Sequence, residues 1–496
     1  MEGERKVKFY LQKKYPSFLE TIAHLKILPK HIFQDLSPED FPWVVSFEEY
    51  LIGSGPFRIK EIKKEKTGYI KKIELERNEK YYLQKPFLEK VSFYFYQTPE
   101  DLLKAARRGE IDGFSLTQGR YLKLLSKEGF QVFSISLPRY FALFFNLRDS
   151  KILKNQKIRE ALAWAINKEE ILERVFQNQG ETVESPILPN FYGFKKPKKT
   201  FEFSPKKAEE ILNHQGFKIN PQTYYREKIV LKKVPPLFKK DLKYGNRGKD
   251  VEKLQECLAR DKEVYPEGEI TGYFGKKTKK AVIRFQEKYS QEILAPLGLK
   301  KGTGKVGGMT REKLNQICQE IPKEILPLKL KLTSSDKFPL KEIGEILKEQ
   351  LGKIGVQLEL RQIPLSEIQT KVLNKRNFEI LLFGEALGGL PDPFPFWHSS
   401  QKDYPGLNLT GYQSKIADKL LEKARETSVQ EERKKALEKF QDILIEDLPA
   451  IFLIRSYYFY LLAPEIKGFE IKKITEPAKR FSLIETCWRE RKRVWK

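Results

Sequence analysis

The chain has 496 residues, 40% of them apolar, with 93 lysines and arginines against 67 aspartates and glutamates, a formal charge of +26. That length and apolar content exclude a disordered tail and leave room for two or three domains with real cores. Acidic residues interleave with the basic ones, as in Lys60-Glu-Ile-Lys-Lys-Glu-Lys66, so the charge coats solvated faces. The basic stripe with interleaved aromatics that a nucleic-acid binder would show is missing, although the excess still favours anionic surfaces.

In chain order, short strands and helices alternate over residues 1–137. Thr98-Pro-Glu-Asp101 predicts a helix start, and Gly109 its end. The apolar run 141–146 predicts a buried strand. Helices follow over 158–165, at the capping box Asn167-Lys-Glu-Glu170, and at Ser204-Pro205. Between 236 and 320 the texture changes to three short amphipathic segments (248–260, 275–289 and 309–318) separated by glycine-rich turns, which predicts a compact helical module inserted into a loop. Alternation at Leu328, Leu330 and Leu332, helical spacing from Leu340 to Ile354, alternation at Val356, Leu358 and Leu360, a second helix, and the run 378–383 together predict an open α/β sheet. Ser428-Val-Gln-Glu431 opens a last long helix with Leu437, Phe440, Leu444 and Leu448 on its apolar face.

Chemistry-bearing motifs are sparse. Cys257, Cys318 and Cys487 make no metal-ligand spacing; the first two bridge only if their helices meet, and otherwise read as small buried thiols. The four histidines are scattered and none sits in a catalytic motif, so no enzyme activity, metal or cofactor is expected. No run reaches the length of a membrane span, and the N-terminus lacks the apolar stretch of a signal peptide. The loop at Pro391-Asp-Pro393 follows an apolar strand, where open sheets bind ligands, and Glu385, Phe394, Phe396, Trp397 and His398 surround it.

Several pieces occur in a telling order: Gly53-Ser-Gly-Pro-Phe57 with Leu75-Glu-Arg-Asn78, Gly109-Glu-Ile-Asp112, Phe145-Asn146 with Ile158-Arg-Glu-Ala161, Pro391-Asp-Pro393, and Asn408 with Gly411-Tyr412. With these, residues 9–235 and 322–487 resemble the extracytoplasmic solute-binding proteins of oligopeptide and dipeptide ABC transporters, family 5. The resemblance implies a two-lobe α/β fold of the periplasmic-binding-protein type (type II) that closes on peptide and presents it to a transporter permease. Implied ligand contacts are Tyr140, Phe144, Asn146, Glu385, Asp392, Trp397 and Asn408. Many members place an aspartate three residues before the acid of the Asp-Pro pair to take the peptide ammonium; here that position is Gly389. Met1 falls well inside the first lobe of the resemblance, so that lobe is expected to be incomplete.

Inside the insert, Leu242-Lys-Tyr-Gly-Asn-Arg-Gly248, Leu254-Gln255, Gly272-Tyr-Phe-Gly275, Phe285-Gln286 and Leu314-Asn315 resemble a peptidoglycan-binding domain. This implies a three-helix bundle with Val251, Leu254, Val282, Phe285 and Leu314 in its core. Arg247, Asp250, Tyr273, Phe274 and Gln286 are the expected exposed contacts to peptidoglycan. The resulting plan is lobe I over 1–137, lobe II over 138–235 and 321–452, the insert over 236–320, and a return to lobe I with a basic tail over 453–496. The competing functions are a wall-bound scaffold derived from such a protein and a cell-wall hydrolase.

Overall fold

Every position from Tyr140 to Phe145 is apolar or aromatic, a pattern that requires burial on both faces of a strand. The computed structural model, which describes residues 6–11, 15, 18, 22, 25, 27–35, 37, 52–116, 121–189, 191–231, 235–319, 323–388 and 392–490, provides that burial. Strand Arg139–Phe145 lies inside a six-stranded mixed sheet, ordered Gln357–Ile363, Lys329–Ser335, Ile380–Ala386, Arg139–Phe145, Ala450–Ser456 and Gly180–Thr182. The first three strands are parallel to one another, and each later neighbour is antiparallel. Leu143 and Phe145 face a core built with helices Gln156–Ala165, Lys168–Phe176 and Leu340–Lys353. Tyr140, Ala142 and Phe144 face a second core, with Phe440 and Leu444 of helix Gln430–Asp447.

Local signals behave as the sequence suggests, with exceptions that have physical causes. Thr98 caps helix Pro99–Arg107 by accepting from Asp101 N, and Gly109 adopts φ 69° just beyond its end. Asn167 accepts from Glu170 N, but Glu170 does not return the bond. Gln350 reaches across to accept from Asn167 N, and donates to Asn167 O and the Glu170 carboxylate. Ser428 does not cap the last long helix, which begins at Gln430. Neither Gly53 nor Gly55 has positive φ; their turn is closed instead by Asn78, whose Nδ2 donates to Gly55 O at 2.9 Å.

A smaller antiparallel sheet, Gly113–Leu116, Tyr458–Leu462 and Gln131–Ile135, packs on helices Pro99–Arg107 and Leu122–Lys127 through Leu103, Phe114, Leu125 and Phe459. Among the described residues the chain passes between this part and the large sheet twice, at residues 136–138 and at Tyr457. Strand Ala450–Ser456 belongs to the large sheet, so the return to the first lobe falls at Tyr457.

Contacts divide the chain into two compact units, Met1–Arg226 with Leu328–Lys496, and Glu227–Pro327. The second is the insert, opened and closed by antiparallel pairing from Glu227↔Pro327 to Leu231↔Lys323. Its three main helices, Lys249–Ala259, Lys276–Lys288 and Gly308–Cys318, enclose Val251, Leu254, Val282, Phe285 and Leu314. The long loop after the second helix carries two short turns of helix, Ser290–Ile293 and Ala295–Leu297. An internal repeat organises it. Gln255 donates to Thr278 Oγ1 and Tyr273 O while accepting from Gly272 N; Gln286 donates to Thr310 Oγ1 and Lys305 O while accepting from Gly304 N. Gly272 and Gly304, at φ 67° and 69°, occupy equivalent turns.

The first and third helices do meet. Cys257 and Cys318 form a disulfide with Cα atoms 5.6 Å apart, in place of two separate thiols, and Cys487 is free and buried. Closing 61 residues of chain restricts the unfolded state by about 4 kcal/mol. Denatured, unreduced protein is therefore expected to titrate one thiol and reduced protein three. Cys318→Ser should lower the insert's unfolding midpoint in calorimetry while leaving the host transition in place. Three thiols without reductant would refute the bridge.

Candidate functional site

The crossing Ser136-Leu-Pro138 is pinned from two sides. Ser136 N donates to Lys472 O and Ser136 O accepts from Ile474 N, while Pro138 O accepts from Leu387 N at 2.7 Å. A cleft of about 500 Å³ opens beside this crossing, within the range of small-molecule sites. Ser136 and Pro138, Phe191, Arg455, Lys473 and Lys479 line it. Phe191 also lines an adjoining smaller recess with Glu385, Leu387, Asp392 and Trp397, so three of the seven residues expected to contact ligand come together there.

Cross-strand register creates the polar core of that recess. Tyr140 and Glu385 are direct partners on antiparallel strands, and the Tyr140 hydroxyl donates to Glu385 Oε1 at 2.7 Å. Both are buried. Burial, opposed by the tyrosine's hydrogen bond, pushes the Glu385 carboxyl up to about 8, so it is mostly protonated at neutral pH. The Asp392 carboxylate is held by two guanidinium nitrogens of Arg425, at 2.9 and 2.6 Å, and accepts from Phe394 N. Arg425 also lies over the Phe394 ring at 3.7 Å. Trp397 is buried with no hydrogen-bond partner for its indole N–H among the described residues. Gly389 and Pro391 lie outside the described residues.

The other expected contacts serve the fold. Phe144 is buried and stacks on Trp397, with ring centroids 6.2 Å apart. Asn146 donates to Arg376 O and Phe378 O and accepts from Arg148 N. Asn408, fully buried, donates to His398 O and Tyr412 O. Each amide satisfies carbonyls of an irregular loop, which leaves no donor for a ligand. Sequence reasoning missed Arg455, Lys473 and Lys479, because nothing marks three cations among 93.

On the insert, Arg247 and Asp250 are exposed, and the Arg247 guanidinium lies 4.3 Å from the centre of the half-buried Tyr273 ring. Tyr244, exposed and overlooked in the sequence, lies beside Tyr273 at 6.4 Å. Phe274 and Gln286, expected on the surface, are instead buried. Phe274 packs in the insert core, and Gln286 is consumed by the repeat turn described above.

Residues 2–261 match the bacterial extracellular solute-binding proteins, family 5 (middle). The chain belongs to this family. Residues 247–314 match a peptidoglycan binding domain. A curated relative, the oligopeptide-binding protein AppA of Bacillus subtilis, is 23% identical over 494 residues, covering 98% of this chain and 71% of that protein. The solved structure of AppA in complex with a nonapeptide aligns with a TM-score of 0.65 at 20% identity, over 97% of this chain and 75% of that one. NikZ of Campylobacter jejuni, in complex with Ni(L-His), aligns at 0.64 and 22% identity, over 96% and 75%. These likenesses show the two-lobe fold. No helix among the described residues is long and apolar enough to cross a membrane.

Glu385 gives the site a pH signature. Between pH 4.5 and about 8 the folded carboxyl keeps a proton that the unfolded chain has lost, so stability falls as pH rises through that window. Glu385→Gln retains an acceptor for Tyr140 and removes the titration. Its unfolding free energy should match the parent's near pH 4.5 and increasingly exceed it towards pH 8, by on the order of a few kcal/mol, with the melting temperature rising accordingly. Parallel melting curves for the two proteins would reject a buried, protonated Glu385.

Proposed function

We propose that this chain captures short peptides, including wall-derived ones, between its lobes and presents them to the permease of an ABC transporter, while the insert holds it at peptidoglycan. The observation that carries the capture reading is the 500 Å³ cleft placed where the chain crosses between the lobes. A cleft at a pair of crossings closes by small rotations there, which couples ligand capture to a shape a partner can read. Family membership and the nonapeptide held by AppA favour peptide as the ligand. The protein acts as a binder, not an enzyme, and works outside the cytoplasm, where its disulfide would persist. The tethering half rests on the match of residues 247–314 and on the exposed Tyr244, Arg247 and Tyr273 patch, whose rings and guanidinium suit sugar faces and carboxylates.

Thermal unfolding of the full chain with pooled short peptides and muropeptides tests capture. A ligand that binds only the folded state raises the melting temperature by mass action, and a cooperative melt unmoved by every pool would favour a scaffold. Tethering is tested by co-sedimentation with purified sacculi. Arg247→Ala and Tyr273→Ala should each cut the retained fraction severalfold, and deletion of residues 242–318 should abolish retention. Undiminished sedimentation of the deletion would end the tethering reading.

A further inference from the structure

Three carboxylates near the cleft are already committed. Asp392 is neutralised by Arg425, at 2.6 and 2.9 Å. Glu181, paired directly across from Arg455 on neighbouring strands, takes the Arg455 guanidinium at 3.0 Å and the Tyr457 hydroxyl at 2.7 Å. Glu385 is buried, accepts from Tyr140 and holds its proton at neutral pH. None of the described residues that line the cleft carries a carboxylate, so a ligand ammonium meets no counter-charge on its walls.

The opposite charge is available. Lys473 and Lys479 line the cleft, are exposed, and pair with no carboxylate among the described residues. Ser136, Thr475 and Ser482 line the same cleft and add hydroxyl donors. Next to Lys479, Arg480 stacks over the Phe481 ring at 4.1 Å, which adds a further positive charge on the same segment. Two ammonium groups and several hydroxyls in a partly enclosed cleft form a site for oxygen anions and repel a second cation.

We propose that the cleft selects short acidic peptides, held through their carboxylates by Lys473 and Lys479 and not through a terminal ammonium. This rests on the reading of the cleft as a peptide site and names the class of peptide it takes. The N-terminus of the ligand is then free to be blocked, acylated or linked to something larger.

Calorimetric titration of the full chain with four probes decides it: Ala-Glu-Glu-Ala, its N-acetylated form, Ala-Gln-Gln-Ala amide, and Ala-Lys-Lys-Ala. Acetylation should change the dissociation constant by less than about threefold. Removing the carboxylates should weaken binding by at least about tenfold, and the basic probe should bind weakest. The double variant Lys473→Gln/Lys479→Gln should lose at least about tenfold for Ala-Glu-Glu-Ala with its melting temperature unchanged, since both side chains are exposed. Equal affinity for all four probes, or loss of binding on acetylation, overturns the acidic-ligand assignment while leaving peptide capture intact. Binding of none overturns peptide capture itself, and the assignment with it.

Discussion

Strand Arg139–Phe145 is the constraint on which the host depends. It is bonded on one side to Ile380–Ala386 and on the other to Ala450–Ser456, and its alternate side chains anchor the two cores of the large lobe. A strand so placed can neither slip by one residue nor tilt, because a slip would exchange the contents of both cores. Its N-terminal end is also the first crossing between the lobes. The position of Pro138, the pairing of Tyr140 with Glu385 and the mouth of the cleft therefore follow from the packing of Leu143, Phe144 and Phe145. Site geometry here is a by-product of core burial.

The motifs that carry the family likeness mostly solve one problem, the satisfaction of backbone carbonyls where regular structure stops. Arg159, from Ile158-Arg-Glu-Ala161, is buried and donates to Leu153 O, Leu448 O and Asp447 O, which ties one helix's entrance to the left-handed end of another. Asn146 and Asn408 do the same for the loops around Arg376 and Tyr412. A buried carbonyl left without a donor costs about 1–3 kcal/mol, so such residues resist substitution without touching a ligand. Asn146 and Asn408, which the resemblance implied as ligand contacts, spend their amide donors on these carbonyls.

Legibility followed the range of the interaction. The helix caps at Thr98 and Asn167 and the alternation at Leu328–Leu330–Leu332 are local patterns, each readable from spacing alone, whereas the core of the insert came from its resemblance to a peptidoglycan-binding domain. The recess was half readable: Glu385, Asp392 and Trp397 sit near one another in sequence, but Tyr140 reaches Glu385 across 245 residues. Phe274 was misplaced because a turn between two helices looks exposed, and Gln286 because a polar helix residue does; only the two copies of the Gln–Thr–Gly arrangement reveal that Gln255 and Gln286 point inward to the turns at Gly272 and Gly304. The Cys257–Cys318 bridge spans 61 residues and depends on how two helices dock, which no spacing rule supplies. The cleft cations were illegible for the same reason, since Lys473 becomes a site residue only through the pairing of its segment with Ser136.

The insert's point of entry explains how a second module can sit in the chain without interfering in the folding of the host. At the junction, Arg226 O accepts from Leu328 N, and Arg226 N donates to Gly355 O. The buried Arg226 side chain donates to Ile354 O, Phe217 O and Asn213 Oδ1. The host therefore closes its own backbone across the gap, with its hydrogen bonds made before the first residue of the insert is counted. Holding the two ends of a loop together costs only slowly more as the loop lengthens, about 0.6 kcal/mol per doubling, and a self-folding module fills it with a core of its own. Gly355 admits this arrangement because a Cβ there, at φ 79°, would meet Arg226 Cγ at 2.9 Å and Ile219 Cδ1 at 2.4 Å. Any side chain at that position would press on Ile219 and on Arg226, the residue whose backbone bonds close the host across the gap, next to host strand Lys329–Ser335, which begins two residues after the insert ends.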